Sequence, residues 1–207
     1  MRTDSVASDN FTPRSSGLPG LPGPDVDRSS GSPTSAAMAA AVPSRASTRL
    51  FLDFVLTAVG DRELVSTLPL DPEQRTWSRL PVPGGGEAWL IGWPPGSSTG
   101  FHDHGGARGA FAVARGELTE QVLRVRSLPI VVGGAVEVEP RQPQARLLRA
   151  GRGRAFGASH VHDVRNRSDV EHAISVHVYS PALPSMRHYR RAGNRLTLTT
   201  IENARDW

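Results

Sequence analysis

The chain contains no cysteine, and all 24 of its long basic residues are Arg, with no Lys among them. The first absence excludes disulfides, thiolate nucleophiles, CxxC metal sites and any cross-link through a Cys side chain, so a metal site must draw on His, Asp or Glu. The second reads as composition bias: the very high pKa of Arg lifts the sequence pI to about 10.8 although the formal charge is only +4. The arginines are scattered among 20 acids rather than gathered on one face, which argues against nucleic acid as a partner. No apolar run approaches the roughly 18 to 20 residues needed to span a bilayer, so no membrane partner is expected. The stretch MRTDSVASDNF carries acids where a secretory signal needs a positive charge and then an apolar segment, and the expected location is cytoplasmic.

Aromatic residues are also sparse, at 6%, while 21 Gly and 17 Pro favour turns, loops and strands over long helices. A length of 207 residues allows one ordinary domain with a terminal extension. Residues 1–45 are rich in Ser, Pro, Gly, Ala and Asp, include GLPGLPGPD, and show no periodic apolar face, so they predict a disordered tail. Within them, Ala36 to Val42 is long enough for a helical turn only. Residues 46–207 form the expected domain.

Leu50, Phe51, Phe54, Val55 and Ala58 recur at helical spacing, with Ser47 placed to cap the start and Gly60 to end the helix. A second short helix is expected from Asp71, with Pro72 at its first position. The period then switches to that of strands, over Glu87–Trp93, Gly109–Arg115, Leu118–Val125, Ile130–Val138, Ala145–Ala150, His172–Tyr179 and Leu196–Ile201. Many short strands separated by Gly and Pro predict a mainly β protein, a small barrel or jelly roll with a few short N-terminal helices.

The histidines are the strongest chemical signal. His102 and His104 in FHDHGG lie two apart, so a strand would aim both rings to one side and Asp103 to the other. Ser175, His177 and Tyr179 alternate in the same way, placing a hydroxyl, an imidazole and a phenol on one face. The segment from Gly96 to Gly116 resembles the first cupin motif at every position but one: Gly109 stands where the motif has a Glu ligand. Gly151, His162 and Asn166 resemble the second, with Gly157 and Ser159 replacing its Pro and Gly. The stretch HDVRNRSDVEHAISVHVYSPAL, His162 to Leu183, is similar to that of the cysteine dioxygenase family of thiol dioxygenases, in which His-x-Val-x-Asn precedes Ser-x-His-x-Tyr-Ser-Pro. That likeness covers residues 75–190.

The resemblance implies a cupin-type jelly-roll barrel in which His102, His104 and His162 bind Fe(II) and Ser175, His177 and Tyr179 pass hydrogen bonds to substrate or O2. It also implies Fe(II)-dependent oxidation of L-cysteine to cysteine sulfinate by a monomer whose partners are a small thiol and O2. His160 also makes an HxH with His162; the family order favours His162 as ligand and leaves His160 at the rim or in solvent, with His172 and His188 as surface or structural residues. Arg79, in TWSRLPV, falls where the family carries its carboxylate-binding Arg, and Arg187 keeps open the arrangement of the related 3-mercaptopropionate dioxygenases. The Cys that mammalian members cross-link to the matching tyrosine is replaced here by Gly109. Pro181-Ala182 stands where Pro-Pro is frequent, which leaves the isomer of the peptide before Pro181 open. The rival readings are another thiol, such as 3-mercaptopropionate, or a cupin of another class: a small-ligand binding module or a metal-dependent isomerase.

Overall fold

The computed structural model describes residues 45–82, 86–139 and 143–204. The expected disordered tail lies outside these residues, apart from Arg45, which begins the first helix. Helix α1 spans Arg45–Gly60 and α2 spans Arg62–Ser66. The helix begins before Ser47, which lies in its first turn, and Gly60 ends it as expected. Asp61 separates the helices and caps α2, its carboxylate accepting from Leu64 N at 3.0 Å. The helix expected from Asp71 does not form. Instead, Asp71 Oδ1 accepts from Glu73 N at 2.8 Å and Gln74 N at 2.9 Å, an Asx turn that feeds directly into a strand.

Among the described residues twelve strands follow: β1 Thr76–Leu80, β2 Glu87–Trp93, β3 Phe101–Asp103, β4 Arg108–Arg115, β5 Glu117–Leu123, β6 Ala135–Glu137, β7 Gln144–Arg149, β8 Gly153–Phe156, β9 Val161–Arg165, β10 Ala173–Ser180, β11 Ser185–Ala192 and β12 Arg195–Asn203. They form two antiparallel sheets, ordered β1-β2-β10-β4-β8 and β6-β12-β11-β3-β9-β5-β7. The mainly β jelly roll expected from the sequence is what forms. The run Ile130–Val138 is the exception: only its last part makes β6, and Ile130, Val131 and Val132 are exposed ahead of the turn at Gly133, whose φ is +84°.

Alternation on β10 organises the core. Ile174, Val176 and Val178 face outward and pack with Ala110, Ala112, Leu90 and Ala88 beneath Val55 of α1. Ala173 and Tyr179, on the other face, join Trp93, Phe111, Val113, Phe156 and Val164 between the sheets. A third cluster of Leu123, Val161, Tyr189, Leu196 and Leu198 is filled from the β5–β6 connection by Leu128. With helix and loop sealing the outer faces, the polar residues directed between the sheets stand apart from bulk water. The Ser180–Pro181 peptide is cis.

Candidate metal centre

The antiparallel pairing of two neighbouring strands, β3 and β9, brings the imidazoles together. His102 on β3 is directly paired with His162 on β9, and His104 follows two residues on from His102. The ring centroids lie 5.0 Å apart for His102 and His104, 4.6 Å for His102 and His162, and 5.0 Å for His104 and His162. One ligand nitrogen from each lies within 4.8 Å of the others, and all three residues are buried. Asp103 turns the opposite way, where it holds Gly105 N, Arg187 and the Tyr189 hydroxyl. Arg187, paired with Asp103 in register, is thereby committed to the face of β3 away from the three rings.

Hydrogen bonds set which nitrogens are free. His102 Nδ1 donates to Gly100 O at 3.1 Å, and His162 Nδ1 donates to Glu120 Oε1 at 2.9 Å, so each leaves Nε2 with its lone pair. Both ring nitrogens of His104 are buried and have no hydrogen-bond partner. Burial lowers the pKa of all three, that of His102 to about 3, so the rings are neutral at physiological pH. Three converging neutral imidazoles, one of them with unsatisfied buried nitrogens, fit a bound cation and explain an arrangement that would otherwise leave polar atoms orphaned.

Among the described residues, the candidate group of His102, His104 and His162 contains no carboxylate, whereas a second group with ligand atoms equally close, Glu120, His160 and His162, shares one ring with it. At Gly109 a Cβ would run into the Val178 carbonyl oxygen and stand 2.8 Å from Phe156 Cζ, so no side chain fits there, and Phe156 instead stacks on His104 at 4.8 Å. The nearby carboxylate is Glu120, fully buried on β5, which the sequence reading missed. Its Oε1 also accepts from His160 Nε2 at 2.9 Å, and its Oε2 accepts from Arg154 Nη1 at 2.6 Å, from across the barrel on β8. His160 is therefore not free in solvent: its side chain, 8% exposed, shares the carboxylate that orients His162. The available signal was phase: Glu120 alternates with Leu118, an apolar residue of the interior.

Ser175, His177 and Tyr179 form a connected row. Ser175 Oγ and His177 Nε2 are 2.9 Å apart, and Tyr179 Oη and His177 Nδ1 are 3.2 Å apart. A further member, Trp93, donates its indole N–H to Ser175 Oγ at 2.8 Å. An indole nitrogen can only donate, and this fixes the polarity in which every donor is used. Ser175 passes its hydrogen to His177 Nε2, His177 donates from Nδ1 to Tyr179, and the phenol keeps its own hydrogen to give away. Burial supports that assignment, lowering the pKa of His177 to about 3 and raising that of Tyr179. The Tyr179 ring lies 5.1 Å from that of His104, which places the end of the row beside the metal centre.

Arg79 is engaged elsewhere. Its Nη2 pairs with Glu87 Oε2 at 3.0 Å, its guanidinium lies 4.8 Å over the Trp89 ring, and its side chain is 65% exposed. Arg75, four residues earlier, lies 5.5 Å over Trp93. His188 stacks beside His102 at 6.0 Å, nearer the centre than a surface role implies, whereas His172 bonds to Asp71 O at 2.9 Å in a structural role.

Two sheets enclosing a cluster of histidine rings make a jelly roll with a candidate metal centre. The family model for cysteine dioxygenase type I matches residues 44–192, and the chain belongs to that family. No curated protein matches. Among solved structures, the chain is similar to the cupin domain of Cnp3 from Schizosaccharomyces pombe, at 9% identity and TM-score 0.39, over 53% of this chain and 62% of that one. An oxalate oxidase gives 20% identity and TM-score 0.43 over 56% of this chain and 55% of that one. A cupin superfamily protein from Desulfitobacterium hafniense gives 12% identity and TM-score 0.40 over 55% of this chain and 84% of that one. The matched part thus spans less than two thirds of the length of the first two.

Proposed function

We propose that the protein is an Fe(II)-dependent thiol dioxygenase that converts L-cysteine and O2 to cysteine sulfinate. The observation that carries this reading is the all-imidazole cluster of His102, His104 and His162, next to the row that ends at the Tyr179 hydroxyl. Ferrous iron held by these rings supplies a common point at which a thiolate and dioxygen meet, and neutral ligands leave its charge uncompensated, so an anionic thiolate is favoured there.

The chain's own residues do the rest. Glu120 and the Gly100 carbonyl hold the rings of His162 and His102 in orientation. Phe111, Phe156 and Trp93 exclude water from around the centre. Tyr179, which retains its proton, donates a hydrogen bond to substrate or dioxygen, and His177, Ser175 and Trp93 keep that hydrogen pointing forward. The substrate carboxylate is met by a guanidinium on the β1 edge, a role that the family resemblance gives to Arg79, which would have to exchange its pairing with Glu87 for the substrate.

The test is oxygen uptake and sulfinate yield by the iron-reconstituted protein over L-cysteine, 3-mercaptopropionate and cysteamine. The expected result is highest kcat/KM for cysteine, with one sulfinate formed per O2 consumed. Background uptake with every thiol, in a protein that binds iron tightly, would overturn the proposal in favour of a non-oxygenase cupin.

A further inference from the structure

We propose that Glu120, His160 and His162 make a second cation site, suited to Zn2+, and that filling it empties the first, because His162 serves both. One ligand atom from each of these residues lies within 4.8 Å of the other two, as in the group of His102, His104 and His162. Strand period puts them there. His160 closes the turn from Gly157, donating its backbone N–H to the Gly157 carbonyl at 3.2 Å, and stands two residues before His162 on the strand it leads into. Glu120 comes from the neighbouring strand β5, on which Val122 is paired with His162 and Glu120 with Val164. The rings of His160 and His162 are 4.6 Å apart, and Phe156 stacks on His160 at 4.9 Å.

The donor set differs in kind from the first. Three imidazoles bring no charge to a divalent ion, whereas two imidazoles and a carboxylate give it a contact anion, a combination that zinc sites use. Glu120 Oε1 is 2.9 Å from both His160 Nε2 and His162 Nδ1. A tetrahedral zinc with bonds of about 2.0–2.1 Å sets its ligand atoms about 3.3 Å apart, so these contacts need to open by only about 0.4 Å. Arg154 opposes a cation, but it holds the other oxygen, Oε2, at 2.6 Å. The metal would touch Oε1 and meet the guanidinium only across the carboxylate, so the attraction acts over the shorter distance. The His160 side chain is 8% exposed, against 1% for His162 and 0% for Glu120, and is the group an arriving ion meets first.

Exclusion follows from the shared ring. A neutral imidazole has one nitrogen lone pair to give. With a metal on Nε2, His162 keeps its hydrogen on Nδ1 and donates it to Glu120. With a metal on Nδ1, that hydrogen moves to Nε2 and the first group is left with two rings. His160 makes the same exchange, its Nε2 hydrogen passing to Nδ1. Sites of nitrogen and oxygen donors generally hold Zn2+ more tightly than Fe2+, so zinc taken up here would keep iron out of the three-histidine group.

The experiment titrates the metal-free protein with Zn2+, and separately with Fe2+ under anaerobic conditions, each in competition with a chromogenic chelator. The proteins are wild type, His104→Ala and His104→Ala/His160→Gln. Replacing His104 breaks the first group and spares the second, so this variant should still bind one equivalent of Zn2+ while its Fe2+ affinity falls. Adding His160→Gln should weaken zinc binding at least about 10-fold, since a direct ligand counts for no less than an outer-shell partner. Wild type should take up one equivalent of zinc and not two. Should His104→Ala fail to fold, His102→Ala carries the test, because it breaks the same group. A first-group variant that binds no zinc overturns the site, and so does a double variant that binds zinc as tightly as the single one. Two equivalents in wild type overturn the exclusion. No thiol enters these measurements, so their failure leaves the proposed oxidation standing, and a protein that oxidises no thiol leaves the zinc site standing.

Discussion

Replacing Glu120 by Gln changes one atom of a fully buried side chain, yet three partners depend on it. The carboxylate accepts from His162 Nδ1 and His160 Nε2, each at 2.9 Å, and from Arg154 Nη1 at 2.6 Å. A Gln carbonyl can still accept from the two rings on the Oε1 side, but its amide then sets N–H groups against the Arg154 guanidinium. Breaking a buried pair costs about 3–5 kcal/mol; because the Arg154 side chain is 24% exposed and water can reach it, a value at or just below the low end of that range, about 2–3 kcal/mol, is appropriate. Urea unfolding of the metal-free protein should show that loss. The second effect is on the metal: a His ligand that loses its carboxylate partner becomes less basic and less well aimed, which typically lowers affinity about 10- to 100-fold. Competition with a chromogenic chelator measures it. A Glu120→Gln protein with wild-type stability and wild-type iron affinity would refute the view that this carboxylate orients His162.

Four other outcomes follow from the same geometry. Trp93→Phe removes the donor that polarises the Ser175–His177–Tyr179 row, so steady-state kinetics should show kcat falling about 2- to 10-fold with iron content unchanged; an unchanged kcat would mean that the row needs no such donor. Tyr179→Phe should keep iron and bind cysteine while losing most of kcat, and undiminished turnover would remove the phenol from the reaction. Burial depresses His102 and His177 to about 3, so between that value and about 6.5 the unfolded chain binds protons that the native one refuses. Stability of the metal-free protein present above about pH 6.5 should therefore be lost on acidification, by about 1.4 kcal/mol per pH unit for each ring; circular dichroism melts that stay level from neutral pH to about pH 5 would contradict it. Gly109→Cys, which restores the residue type that relatives cross-link, should destabilise the fold by about 1–3 kcal/mol, since the new Cβ meets the Val178 carbonyl and Phe156. Intact mass spectrometry showing a bond between the introduced sulfur and the Tyr179 ring, in a stable protein, would show that the strands yield more readily than this packing implies.

The parts of the centre that could be read from sequence are those where chemistry and strand period coincide. His102 with His104, and Ser175 with His177 and Tyr179, sit at i and i+2, so their common face was visible before the fold was. Strands β3, β9 and β11 escaped because their interior positions are polar: VHDVR and SMRHYRRA show little apolar alternation, the buried places being held by His, Asp and Tyr that find partners only across the sheet. Glu120 was hidden for the same reason. A carboxylate at an interior position reads as a surface break until Arg154 and His162 are brought to it. Ile130–Val138 misled in the other direction, since the glycines at 133 and 134 turn the chain and leave the apolar residues before them outside.

Labelling with 18O2 tests the central claim most directly. Iron-reconstituted protein, mixed anaerobically with L-cysteine and then exposed to 18O2, should yield cysteine sulfinate carrying both labelled atoms, with no product after the iron is chelated. Cystine or peroxide in its place, or a sulfinate whose oxygen comes from water, would contradict a direct oxygenation of sulfur at the three histidines.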